Sequence, residues 1–68
     1  MTMTIIEDAI ETAFKKDIEV VYKILSTSVL AAKENAQEIS AAQQRFKKGL
    51  EYAVNVRNIA RSAAGLPI

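Results

Sequence analysis

The residues best equipped for chemistry in this chain are its carboxylates. Glu7 and Glu11 stand four apart, and Asp17 and Glu19 two apart. On a helix the first pair shares a face at a spacing that suits a hard metal ion, and paired carboxylates also divide acid and base roles in glycoside hydrolysis. Helical bundles that bind a di-iron centre, however, turn their carboxylates inward and combine them with Glu-x-x-His. This chain has no histidine, and neither Glu7 nor Glu11 falls at a core position. The carboxylates therefore read as a solvated face. Asp17, flanked by Phe14 and Ile18, reads as a boundary residue with its carboxylate in water; the competing role is a polar pin that fixes helix register.

Nucleophiles fare no better. Ser26, Thr27 and Ser28 cluster, but without histidine a Ser-His-Asp arrangement is excluded. Lys23 or Lys33 could serve a Ser–Lys pair, yet a small amphipathic hairpin offers no oxyanion hole. Small hydroxyls inside helices more commonly permit close packing or bond back to a carbonyl four residues earlier. The two glycines, Gly49 and Gly65, are too far apart for a phosphate loop. The absence of cysteine removes disulfides and thiolate metal sites. The expectation is a non-enzyme without metal or cofactor.

The basic set Arg45, Lys47, Lys48, Arg57 and Arg61 makes the best case for ligand contact. Arg45, Lys48, Arg57 and Arg61 at helical spacing could line a nucleic-acid surface, with Gln43, Gln44, Asn55 and Asn58 adding hydrogen bonds. Against this, the net charge is only +1 and the pI about 8.0, below the range of strongly basic nucleic-acid domains. A dimer joining two basic helices is the form in which this alternative survives.

What positions all of these residues is an apolar seven-residue repeat. One series runs Ile18, Leu25, Ala32, Ile39, Phe46, Ala53 and Ala60. The other runs Phe14, Val21, Ser28, Asn35, Ala42, Gly49, Val56 and Ala63, interrupted only by small residues. Interleaved, they give the three- and four-residue steps of one apolar stripe on a helix. The fold class is all-α.

The ends are legible. Thr4 with Glu7 forms a Thr-x-x-Glu capping box, and Glu7, Asp8 and Glu11 place negative charge at the positive end of a first helix. Ala63-Ala64-Gly65-Leu66-Pro67 reads as a stop: Gly65 left-handed, Leu66 folded back, Pro67 blocking continuation. Between them, Asn35 is the best break, with Glu38 three residues on. The favoured architecture is an antiparallel helical hairpin, one domain over 1–68, with helices at about 4–33 and 36–64. Charge supports it. Residues 1–34 carry a net −2 and residues 35–68 a net +3, so the antiparallel register sets Glu7, Asp8 and Glu11 beside Arg57 and Arg61. The rivals are a three-helix bundle broken at Gly49 and one long coiled-coil helix, since the apolar phase does not reset at Asn35. The likeness of residues 14–19 to residues 46–51 fits either a duplicated helix or chance.

Within the hairpin, Ile10, Phe14, Ile18, Val21 and Leu25 are expected to meet Phe46, Leu50, Ala53, Val56 and Ile59. Tyr22 is expected near Phe46 and Tyr52 near Phe14, as core or core edge. The alanines about the turn, Ala31, Ala32, Ala36, Ala41 and Ala42, should make that end narrow. Two helices cannot enclose a core, so the remaining stripe should meet a second copy, completing a four-helix bundle, or a client helix. In fold alone the chain resembles small bacterial or phage helical hairpins that dimerise, which by itself carries no function. The first residues lack the basic segment and apolar run of a signal peptide, and no apolar run reaches membrane-spanning length. The expected protein is a cytoplasmic homo-oligomer, most simply a dimer, without membrane contact. It would act as an adaptor, inhibitor, co-chaperone or small regulatory subunit, or alternatively as a filament subunit.

Overall fold

The structure, a computed structural model, describes residues 2–68, with side chains from residue 3 onward. Two helices pack antiparallel: α1 spans Thr2–Ala32 and α2 spans Ala36–Ala63. The residues between them carry no glycine. Lys33 and Glu34 both adopt left-handed backbone, at φ 49° and 70°, a conformation that costs residues with a Cβ about 1–2 kcal/mol each. Asn35 then starts α2. Its backbone is extended, its N–H donates to the Ala32 carbonyl at 2.9 Å, and its Oδ1 accepts from the Glu38 N–H at 3.0 Å. Asn35 is thus the N-cap of the second helix, and the chain reverses although the apolar phase runs through the turn unbroken. This excludes the single long helix.

The three-helix alternative also falls. Gly49 lies within α2, and its bare backbone receives Val21 of α1. A Cβ at this position would stand 3.0 Å from Val21 Cγ1 and 3.3 Å from Cγ2. The glycine serves a close approach of the two helices rather than a break.

The beginning of α1 corrects the sequence reading. The helix is already formed at Thr2, so Thr4 lies inside it and is no cap, and its first turn holds no acid. Thr2 and Met3, upstream of the Thr-x-x-Glu match, are already helical. The far end of α2 follows expectation. Gly65 is left-handed at φ 78°. Its N–H donates to the Ser62 carbonyl at 3.0 Å, and the Leu66 N–H to the Arg61 carbonyl at 2.8 Å. This pair of bonds is the Schellman arrangement.

The seam between the helices is thin. Its fully buried apolar residues are Ala32, Ala42 and Ala53, and no large side chain is fully buried among the described residues. Ile10, Phe14, Ile18, Val21, Leu25, Phe46 and Leu50 line the seam half-buried. Two expectations fail here. Ile59 is 59% exposed, because Arg57 and Arg61 take the seam at that end of α2, whereas Val56, 40% exposed, stays at the edge of the seam beside Ile10 and Phe14. Tyr22 and Tyr52 are 62% and 71% exposed, well outside any core. The Cα trace measures 50 × 15 × 10 Å. Its shortest dimension is that of a single layer of helices.

Candidate functional site

Four charged residues meet where the start of α1 lies beside the end of α2. Arg57 Nε donates to both carboxylate oxygens of Glu11, at 3.0 and 2.9 Å, and the guanidinium lies 5.3 Å from the centre of the Phe14 ring. Arg61 reaches further. Its three guanidinium nitrogens donate to Glu11 Oε2 at 3.0 Å, to Glu7 Oε2 at 2.9 Å and to the Pro67 carbonyl at 2.8 Å. With every nitrogen satisfied, Arg61 is buried, 7% exposed. The antiparallel register thus joins Glu7 and Glu11 to Arg57 and Arg61, as the charge split of the two halves implies. Asp8 stays exposed, outside the cluster.

The electrostatics follow from these contacts. The hydrogen bond from Arg57 holds the Glu11 carboxyl below the usual carboxylate range; both arginine charges add to this, and burial opposes it. Arg61 is shifted upward, mainly by its hydrogen bond to Glu7 and then by that to Glu11, again against burial. Both groups are locked into their charged forms. A carboxylate so held is a poor general acid or base near neutral pH. The cluster clasps the helix ends and, through Pro67, the C-terminal residues.

The other chemical candidates do not assemble into a site. No group of three or more His, Cys, Asp or Glu comes together among the described residues. Asp17 and Glu19 are exposed, with Asp17 at the edge of the seam. Lys23 shares a surface hollow with Thr27 and Ser28, but no hydrogen bond among the described residues joins it to a hydroxyl. Of the four cations considered for nucleic acid, Arg57 and Arg61 are bound to glutamates, while Arg45 and Lys48 are exposed. No described helix is long and apolar enough to cross a membrane.

What remains is apolar surface. On one side of the seam a shallow groove runs along the hairpin. Its lower part is lined by Ile10, Ala13, Phe14 and Asp17 of α1 with Ala53, Val56 and Ala60 of α2, and Arg57 of the ion-pair cluster borders it. One turn on it is lined by Val21, Ile24 and Ser28 with Ala42, Arg45 and Gly49, and it ends against Ala31 and Ala41. Helical steps of three and four put Val20 in the row of Asp17 and Ile24, and Tyr52 and Ile59 in the row of Gly49 and Val56. Val20, Ile24, Tyr52, Val56 and Ile59 in these rows are exposed, while Ile10 is half-buried. The opposite side carries the ion-pair cluster, with Tyr22, Val29 and Val54 beyond it. Periodicity identified the stripe, but it placed Ile59 and Tyr52 inward. It also gave no signal for Gly49 as a point of close approach. Comparison with protein-family models, with curated proteins and with solved structures finds no match to this chain.

Proposed function

We propose that this chain is a non-enzymatic assembly or partner-binding protein that works by burying helix faces against another polypeptide. One observation carries the reading: among the described residues the buried apolar side chains are all alanines, while a dozen large apolar side chains stand exposed. Burying apolar surface is worth about 25 cal/mol per Å², and chains of this size rarely hold a fold on a small core without a disulfide, a metal or a partner. The first support is absent, since the chain has no cysteine, and a partner is the support its surface favours. An adaptor, inhibitor, co-chaperone or small regulatory subunit would use this chemistry. The nucleic-acid alternative is weakened, because two of its four cations already hold glutamates.

The test substitutes the seam itself. Ile18→Asp or Phe46→Asp puts a charge on a half-buried apolar row that folding and association both need. Circular dichroism and molar mass in solution should then show helicity and association lost together. A variant that kept both helicity and assembly size would refute the reading.

A further inference from the structure

We infer that the groove side of the hairpin, the face bearing Val20, Ile24, Tyr52, Val56 and Ile59, is the docking surface for a second copy of this chain. The inference rests on the assembly reading above and names its partner. The first ground is area. The hairpin exposes 5292 Å², whereas a compact protein of 7.5 kDa exposes about 4,200 Å². The excess, about 1,000 Å², matches the roughly 800 Å² that each partner contributes to a standard interface. The second ground is thickness. Domains close a core between two layers of secondary structure, and this hairpin is one layer, only 10 Å through its Cα atoms. Its radius of gyration is 15.3 Å, against about 11 Å for a compact chain of this length. A second copy laid face to face supplies a layer of the same length.

The face also suits a copy of itself. In a two-fold dimer the same patch must serve on both sides. Here projections and hollows share one face: Ile24, Tyr52 and Ile59 stand out, and Ala13, Gly49 and Ala41 leave depressions between the helices. Its charges are of both signs, Asp17 and Glu38 against Lys23, Arg45 and Arg57, and each chain carries a net of only +1. The repulsion between two copies is therefore small and screened by salt. The opposite side is less suited, because its ion pairs would have to lose water to be covered.

The experiment uses the full chain and two kinds of variant. The chain has no tryptophan, so Tyr52→Trp and Tyr22→Trp each report on one face through a conservative change. Sedimentation should give about twice the 7.5 kDa chain mass, and Tyr52→Trp emission should shift to the blue as concentration rises while Tyr22→Trp emission stays red. Ile24→Glu, on a residue already 57% exposed in the hairpin, should weaken dimerisation by about 100-fold or more. Val54→Glu on the other side should leave it within about threefold. A doubled mass with the blue shift at Tyr22→Trp instead would overturn the face while leaving the assembly reading intact. A monomer at every concentration that melts without cooperativity would remove the second copy as occupant but not the need for a partner. A cooperatively melting monomer would remove both.

Discussion

Replacing Gly49 with alanine sets two effects of similar size against each other. In an exposed helix the change should stabilise by about 1 kcal/mol, because glycine gives up more backbone freedom on folding. At this position the new methyl group would sit 3.0 Å from one Val21 methyl and 3.3 Å from the other, closer than carbon atoms pack at their optimum of about 3.5–4.0 Å. Val21 is β-branched and holds essentially one χ1 rotamer in a helix, so relief requires the helices to part. Overpacking of this kind costs about 1–3 kcal/mol. Gly49→Ala should therefore leave stability unchanged or lower it by up to about 2 kcal/mol. With Val21→Ala also present the obstacle is gone, and the same substitution should gain close to the full 1 kcal/mol of helix propensity. The double-mutant cycle should give a coupling of about 1–3 kcal/mol. Urea unfolding followed by circular dichroism, at one fixed protein concentration, measures all four corners. A gain of about 1 kcal/mol from Gly49→Ala in both backgrounds, with no coupling, would refute the close approach of α1 and α2 at this point.

Three further predictions concern the turn and the charged clasp. Asn35→Ala should cost about 1 kcal/mol by removing the acceptor for the Glu38 N–H, and Asn35→Asp should restore most of it; equal losses in thermal scans of the two variants would count against the cap. Glu34→Gly should stabilise by about 0.5–1 kcal/mol, since relief of the left-handed strain outweighs the added freedom of the unfolded chain; a loss in urea unfolding would contradict the turn geometry. Acid should loosen the fold through Glu11. Its folded-state carboxyl lies below its ordinary value of 4.5, so below that pH the unfolded chain binds the proton first. The contribution of Glu11 is fully present above pH 4.5 and declines as pH falls through the folded value. The midpoint of thermal unfolding should fall over this range, and Glu11→Gln should flatten the decline; an unchanged slope in the variant would exclude the clasp as its source.

Much of this fold was legible because it depends on patterns that are local or global but simple. The stripe required helices, Gly65 followed by Leu66 and Pro67 stopped α2, and Asn35 three residues before Glu38 marked its start. The opposite charges of the two halves chose the register, and Glu7 and Glu11 do meet Arg57 and Arg61. The Thr4 capping box was misleading because a motif match says nothing of the residues upstream, which also support helix. Tyr52 and Ile59 were misplaced for another reason. A heptad pattern gives the breadth of an apolar stripe, but one neighbouring helix covers only part of it, and the rest stays exposed. The burial of Arg61 was hidden because it needs two glutamates from α1 and the Pro67 carbonyl together. Gly49 offered a rival break inside α2, and only its position opposite Val21 shows its role.

The central claim is that the apolar surface of this hairpin is covered by another chain rather than left in water. The most direct test is the thermal midpoint of helicity for the unmodified protein across a hundredfold range of concentration. Folding coupled to self-association predicts a midpoint that climbs steadily with concentration. A sharp, cooperative transition at the same temperature throughout would contradict it.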